Sequence, residues 1–309
     1  MSATVQIVPD GKLVYGIQLP IQALSVMTAM PWERDCGPSE LLRAAQAADD
    51  AGFFYVAVCD HIGIPREKAD TMSTTWFNPV ATLAWLAGQT RSVRLMTNVY
   101  VAAYRHPLDT AKAFATLDHL SGGRVILGVG AGHVEGEFDA LGIPFDERGR
   151  ITNDAIDGII AAWSAEFVGD VGLRPRPAQQ PRPPVWAGGS SNAALRRVAE
   201  RCDGWIPQGT PRKRMPGSIA YLHEHRDKVR PGAQLEVGMI TEHVYLGSAD
   251  WDLPKYALTG SADQVIDSLN EYGAMGVAHL QLRFASRSID ELCDQMARFG
   301  DEVGPNLVR

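Results

Sequence analysis

Eight short apolar runs, separated by segments whose apolar residues recur at helical spacing, constrain the fold of this chain more than any other feature. The first intervening segment shows the helical pattern well, because Leu41, Ala44, Ala45 and Ala48 fall on one face of a helix. The eight runs are residues 13–19, 55–59, 93–97, 125–129, 185–187, 204–207, 235–246 and 277–283.

Strands that alternate with helices predict a parallel sheet, and eight such strands close a barrel. We therefore expect an α/β fold with a single TIM-type (β/α)8 barrel domain over residues 1–309, and an excursion after strand four. The proline-rich stretch 175–184 is interpreted as a rigid loop that leads into strand five, not as a domain linker. An open, doubly wound sheet is the main alternative fold.

Composition and charge exclude several classes of protein. The chain has 309 residues, of which 45% are hydrophobic, so it can bury a large core. No apolar run approaches the roughly 18 residues of a membrane span, and the first residues lack the pattern of a signal peptide. A net charge of −7 argues against binding to nucleic acids or anionic membranes. The four cysteines form no CxxC pair, which predicts reduced thiols and a cytoplasmic protein.

Polar or glycine-rich residues lie at the ends of five of the predicted strands, where active sites of a barrel are built. They are Asp60-His61, Thr97-Asn98-Val99, Gly130-Ala131-Gly132-His133, Gly188-Gly189-Ser190-Ser191-Asn192 and, at strand eight, Arg283.

The loop that contains Gly189, Ser190 and Ser191 suits an anion, because glycine lets the backbone approach a ligand and a helix N-terminus attracts negative charge. An ordinary strand–helix turn capped by Ser191 or Asn192 explains the same residues equally well. The other glycine-rich segment, 128–132, lacks GxGxxG spacing, and we expect no clean amphipathic helix to begin in residues 133–137.

His61 stands next to Asp60 at a strand end, where an imidazole could face a ligand, although a lone histidine in a loop is more often structural. His106 precedes Pro107 and is interpreted as structural. The sequence has no HExxH, no HxH after strand one and no GxSxG, so neither a metal site nor a serine hydrolase is expected.

Several motifs resemble those of the luciferase-like flavin and deazaflavin oxidoreductases. They are DHLSGGRVILGVGAG at 118–132, ALGIPF with ERG at 140–149, PPVWAGGS at 183–190 and CDGW at 202–205. The resemblance covers nearly the whole chain and implies a barrel that binds FMN or the deazaflavin coenzyme F420 at its C-terminal mouth. The segment DHIGIPRE at 60–67 is most similar to the F420-dependent branch.

The resemblance also implies roles for individual residues. The match to F420-dependent sugar-phosphate dehydrogenases implies that His61 acts at the hydride-transfer step, with Asp60 near the cofactor. It implies a non-proline cis peptide at Asn98-Val99 that supports the cofactor ring. The residues that it implies around the phosphate are Ala131, Gly132, Gly189, Ser190 and Ser191.

The chain departs from those dehydrogenases at two places. His133 stands where they carry a glutamate as general acid, so His133 is the second candidate catalytic residue. The segment between Trp163 and Pro175 is also shorter, which would alter the rim of the pocket.

The expected function is hydride transfer between coenzyme F420 and an unknown small organic substrate. An FMN-dependent monooxygenase is one alternative, and a non-catalytic barrel that binds a flavin or deazaflavin is another. The sequence does not determine the substrate, the direction of the reaction or whether the chain forms a homodimer.

Overall fold

Eight parallel strands form a closed barrel in the computed structural model, which describes residues 4–26 and 28–309. Each strand pairs with the next one along the chain, and β8 pairs with β1, so the sheet closes on itself. The predicted TIM-type fold is confirmed, and the open doubly wound sheet is excluded. The strands are β1 (Val14–Gln18), β2 (Tyr55–Val58), β3 (Arg94–Thr97), β4 (Val125–Gly130), β5 (Val185–Ala187), β6 (Gly204–Trp205), β7 (Glu236–Leu246) and β8 (His279–Phe284).

Helices surround the barrel and lie mostly where the apolar spacing predicts them. Leu41, Ala44, Ala45 and Ala48 are all buried on one face of the first helix, as expected. The helices within the described residues are α1 (Pro38–Asp50), α2 (Ala69–Met72), α3 (Pro79–Ala87), α4 (Pro107–Leu120), α5 (Glu135–Leu141), α6 (Arg148–Ser164), α7 (Asn192–Arg201), α8 (Met215–Val229), α9 (Ala262–Ala274) and α10 (Ile289–Arg298). None of these helices is long and apolar enough to cross a membrane.

Residues 133–137, where we expect no clean amphipathic helix, contain the start of a short helix, α5, at Glu135. This helix buries Phe138, but it also turns the carboxylate of Glu137 inward, where that group accepts several hydrogen bonds. An acidic residue on the buried face breaks the apolar periodicity on which a sequence-based prediction depends. The helix is fixed by tertiary contacts that the local pattern does not reveal.

Other elements of the excursion and the rim also go beyond the prediction. Helix α6 begins at Arg148, directly after a short 3-10 turn, Phe145–Glu147. A small antiparallel hairpin, Phe167–Val168 with Val171–Gly172, occupies the shortened segment before the proline-rich loop. A further strand, Leu258–Gly260, pairs in parallel with the last three residues of β7.

The inside of the barrel is packed, and its lower end is closed. Large side chains such as Tyr55, Met96 and Trp186 fill it and are fully buried. Below them, the backbone N–H groups of Ile7 and Val8 donate hydrogen bonds to the carboxylate of Glu236 at 2.8 and 2.5 Å. A packed interior leaves the mouth at the carboxyl ends of the strands for ligands, as in other barrels of this type.

Candidate active site

The polar segments predicted to follow the strands meet at the mouth of the barrel. The peptide bond between Asn98 and Val99, directly after β3, is cis, as the family resemblance implies. The Asn98 side chain donates a hydrogen bond to Oε1 of Gln281 on β8 at 2.7 Å. Asn98 therefore connects opposite sides of the mouth through a buried contact.

The side chain of Val99 packs closely against two glycines. A Cβ atom on Gly130 would lie only 2.4 Å from Cγ2 of Val99, and one on Gly188 would lie 3.0 Å from Cγ1. Any larger residue at Gly130 would push the Val99 segment out of place. The ends of β4 and β5 are thus shaped to hold the segment that follows β3.

The loop after β5 contains the residues that the sequence predicts to bind an anion. Gly189 has φ +97°, and its carbonyl accepts a hydrogen bond from the Trp205 indole at 2.8 Å. Ser191 caps α7 by accepting a hydrogen bond from the N–H of Ala194 at 3.2 Å, so the structural interpretation of this serine is correct. Ser190 shares a hydrogen bond with Thr210. Within the described residues, no group accepts from the backbone N–H groups of residues 189–191, which leaves these donors for a ligand.

His61 is held by a buried carboxylate. Its Nδ1 atom lies 2.7 Å from Oε2 of Glu137, whose side chain is completely buried. The other carboxylate oxygen accepts hydrogen bonds from the N–H groups of Ile62 and Gly63 at 2.6 and 3.2 Å, and Tyr104 donates its hydroxyl to Oε2 at 3.1 Å. Burial raises the pKa of Glu137, but the hydrogen bond and charge of His61 and the two backbone donors outweigh it and lower that pKa.

An ionised Glu137 fixes the tautomer of a neutral His61. Because the carboxylate can only accept, Nδ1 of His61 must carry a proton. The lone pair is then on Nε2, which has no hydrogen-bond partner in the described parts of the chain. The imidazole has the orientation of a general base whose other nitrogen is anchored.

The ring of His133 lies beside that of His61, with their centroids 5.7 Å apart. Trp76 covers another side of His61, at a centroid distance of 4.2 Å. His133 remains exposed at the surface of the mouth. Partial burial of its ring, followed by the nearby charges of His61 and Lys68, lowers the pKa of His133, while Glu137 opposes that change.

Asp60 is buried and bonded to the protein itself. Its two carboxylate oxygens accept hydrogen bonds from Arg105 at 2.6 and 2.9 Å, and Oδ2 also accepts one from the N–H of Val101 at 2.9 Å. These contacts tie the end of β2 to the segment after β3. The position of Asp60 near the cofactor stays a prediction, and the contacts show that its carboxylate orders the loops around the mouth.

A chain of amides that the sequence did not indicate crosses the mouth from β8 to β2. Gln281 and Arg283 both donate hydrogen bonds to Oε1 of Gln18, at 3.3 and 3.0 Å. Gln18 in turn donates to Sγ of Cys59 at 3.1 Å. Glutamines within apolar runs carry no motif, so the only available signal was their position near predicted strand ends.

Three consecutive basic residues, Arg212, Lys213 and Arg214, follow β6, and only the first of them forms an ion pair or a ring contact within the described structure. Arg212 forms an ion pair with Glu271 and stacks on the ring of Tyr272 at 4.4 Å. Lys213 and Arg214 stay exposed.

Sequence comparisons identify relatives of both cofactor types. An uncharacterised protein of Mycobacterium tuberculosis is 31% identical over 190 residues, 55% of this chain and 67% of that protein. An F420-dependent hydroxymycolic acid dehydrogenase of the same organism is 34% identical over 181 residues, 54% of this chain and 48% of the relative. An FMNH2-dependent dimethylsulfone monooxygenase of Pseudomonas putida is 38% identical over 111 residues, 32% of this chain and 30% of the relative.

Solved structures share the fold at low sequence identity. A monooxygenase from Streptomyces bottropensis has a TM-score of 0.76 at 21% identity, with 95% of this chain and 99% of that chain covered. The coenzyme F420-dependent tetrahydromethanopterin reductase from Methanopyrus kandleri has a TM-score of 0.73 at 19% identity, covering 96% of this chain and 99% of that chain. Such identities establish the architecture and leave the cofactor open.

A model of a known protein family matches most of the chain. The model of the luciferase-like monooxygenases matches residues 23–252, which include every polar mouth segment from Asp60-His61 to the loop after β5. The chain belongs to the luciferase-like monooxygenase family of flavin- and F420-dependent oxidoreductases.

Proposed function

We propose that the protein transfers a hydride between the deazaflavin coenzyme F420 and a small organic substrate. The observation that carries this proposal is the pairing of His61 with Glu137 at the mouth, which leaves Nε2 of the imidazole open. Hydride transfer to or from an alcohol or carbonyl group also moves a proton, so it needs a positioned acid or base. The 34% identity to an F420-dependent dehydrogenase favours F420 as the cofactor.

The residues at the mouth fit a cofactor of this kind. The unpartnered N–H groups after β5 and the N-terminus of α7 offer donors to a phosphate, together with Ser190 and Ser191. Ala131 and Gly132 line the neighbouring strand end, where Gly132 has φ +77°. Asn98 and Val99 would support the ring, and Asp60 would hold that segment in register. When bound, F420 would accept or supply the hydride at a carbon of its ring, depending on the direction of the reaction.

The protein's own task in the reaction is to position the reactants and to handle the proton. In the oxidation direction, Nε2 of His61 would accept the proton of a substrate hydroxyl while Glu137 stabilises the imidazolium that forms. In the reduction direction, the same nitrogen would return it. His133, which is exposed and whose ring lies beside that of His61, is the candidate to pass this proton on to solvent.

An FMN-dependent monooxygenase is the second candidate function. It is favoured by the 38% identity of a shorter segment to an FMNH2-dependent monooxygenase. The same phosphate loop and the same support for a ring would serve FMN. The two functions differ in the fate of the reduced cofactor, because reduced flavin reacts readily with oxygen whereas a deazaflavin does not.

Activity with each cofactor tests the proposal. Oxidised F420 would be offered with a panel of alcohols, and reduced F420 with the matching aldehydes and ketones, while the deazaflavin absorbance is followed. We expect an enzyme-dependent change with at least one substrate pair. Oxygen consumption with reduced FMN, without any turnover of F420, would replace the proposal by the monooxygenase.

A further inference from the structure

A two-part cavity lies at the mouth between the loops that follow β1, β7 and β8. The outer part has a volume of about 480 Å³, within the range of small-molecule sites. Most of its wall is apolar and consists of Met30, Pro31, Trp32, Trp251, Leu253 and Pro254.

A narrow pit of about 40 Å³ adjoins the outer part, with which it shares Met30, Trp32 and Ser286. Polar groups line the pit, among them Gln18, His243 and Arg283. Gln18 also donates a hydrogen bond to Sγ of Cys59, so a direct contact connects the pit to the end of β2, the strand that His61 follows. The combined cavity would fit a molecule with a small polar head and an apolar body.

Arg283 gives the pit its chemical preference. Within the part of the chain that the structure describes, the guanidinium donates one hydrogen bond, from Nη2 to Gln18, although it carries five N–H donors. Among the ion pairs of the described residues, none includes Arg283. The nearby carboxylate of Glu33 is instead bonded to the N–H groups of Ile21 and Met30, at 2.8 and 2.7 Å. Arg283 therefore has donors to offer to a planar acceptor.

The other arginine of the cavity differs in this respect. Arg287 lies in the wall of the outer part, but it forms ion pairs with Asp250 at 2.8 Å and with Glu291 at 3.0 Å. Its charge is already balanced, and its guanidinium lies over the ring of Trp251 at 5.6 Å. The described walls of the cavity thus hold one guanidinium in ion pairs and one without an ion pair, together with the carboxylates of Asp252 and Glu33.

We infer that the substrate is a carboxylate with an apolar, aromatic-sized body, whose carboxylate binds Arg283 and whose body packs between Trp32 and Trp251. That this ligand is the substrate depends on the proposed function, whereas the binding site itself is inferred from the cavity alone. The carboxylate serves recognition and is not the group that changes oxidation state. A guanidinium is the side chain best matched to a carboxylate, since two parallel N–H donors meet its two oxygens.

Calorimetric titration of the purified protein with phenylacetate and with its neutral isostere phenylacetamide tests this inference, in a buffer free of carboxylates. We expect phenylacetate to bind about tenfold to a hundredfold more tightly, as a charge-assisted hydrogen bond suggests. Arg283→Met should abolish the preference and leave phenylacetamide binding within about threefold. Arg283→Lys keeps the charge and should retain part of the preference, and thermal melting would confirm that both variants fold.

Arg287→Met is the matched control, because it removes a paired arginine from the same cavity and should leave the preference unchanged. Equal binding of the two probes, binding of neither, or a preference that survives Arg283→Met would overturn the inference. F420 affinity is measured on the same samples. If F420 fails to bind while the phenylacetate preference holds, the proposed function fails and the carboxylate site stands. If F420 binds but phenylacetate is not preferred, the carboxylate site fails and the proposed function stands.

Discussion

The Nδ1 atom of His61 lies 2.7 Å from Oε2 of Glu137. This contact joins the end of β2 to helix α5, so two elements that are 76 positions apart in sequence fix one imidazole. Because the carboxylate also accepts the N–H groups of Ile62 and Gly63, its position does not depend on His61 alone. The arrangement is a preorganised acid–base pair in which one residue was visible in the sequence and the other was not.

The first prediction concerns the two histidines. We expect His61→Asn to lower turnover by about 10²–10⁴-fold, because it removes a titratable ring and keeps a hydrogen-bonding side chain of similar size. F420 affinity should stay within about threefold, since the proposed phosphate site is on other strands. His133→Asn is the matched comparison and should cost less. Near-normal turnover of His61→Asn together with a large loss in His133→Asn would exchange the two roles.

The second prediction concerns Glu137. In Glu137→Gln, the amide oxygen can still accept from Ile62 and Gly63, but the amide nitrogen would then face Nδ1 of His61. The proton of His61 would move to Nε2 and remove the base, so we expect turnover to fall by about 10²-fold or more.

Tyr104→Phe is the control for Glu137→Gln, because it deletes the hydroxyl donor to the same carboxylate and leaves the charge. It should cost less than about tenfold in turnover. Turnover, F420 affinity and thermal melting would be measured for both variants. If Glu137→Gln and Tyr104→Phe lose the same fraction of turnover, the packing around Glu137, and not its charge, determines the activity.

A third prediction tests the loop after β5. Ser190→Asp places a negative charge beside unpartnered N–H groups, where the proposal puts a phosphate. Repulsion between like charges at short range should weaken F420 binding by about tenfold or more. Ser164→Asp adds the same charge at an exposed position and should leave the affinity unchanged. A fluorescence titration that gives one affinity for both variants would move the phosphate to another place.

The fourth prediction tests the fit of Val99 against the strand ends. Gly130→Ala brings a methyl group to 2.4 Å from Cγ2 of Val99 and should destabilise the fold by about 1–3 kcal/mol. Val99→Ala removes the group in conflict, so the double variant should be more stable than the sum of the single effects implies. Denaturant unfolding of the four proteins measures this coupling.

Gly128→Ala is the control for that coupling. Its methyl group would meet the backbone oxygen of Thr97 at 2.0 Å, a conflict that truncating Val99 cannot relieve. Additive effects of Gly130→Ala and Val99→Ala would show that the two residues do not constrain each other.

The barrel was predictable from the sequence because its strands are buried on both faces. A run such as 125–129 is continuously apolar, which marks a parallel strand whatever its neighbours are. His61 and the loop after β5 could be located because they directly follow such runs. Family motifs added the cis peptide at Asn98-Val99, which the structure contains.

The partners of these residues could not be predicted in the same way. Glu137 is an acidic residue on the buried side of a short helix, where it breaks the apolar pattern. Gln18 and Gln281 lie in apolar strands without any motif. Their roles follow from the closure of the barrel, which brings β1, β2 and β8 together at the mouth. The sequence likewise does not show that Arg283 lacks an ion pair, because this depends on the hydrogen bonds that the Glu33 carboxylate accepts from backbone groups in the fold.

The most direct measurement of the central claim is a pair of equilibrium titrations of the purified protein, one with F420 and one with FMN, followed by cofactor fluorescence. We expect F420 to bind more tightly than FMN, because the match to an F420-dependent dehydrogenase covers 54% of the chain, whereas the match to an FMNH2-dependent monooxygenase covers 32%. If FMN binds at least about tenfold more tightly, a difference of about 1.4 kcal/mol, F420 is not the cofactor and the monooxygenase function takes its place.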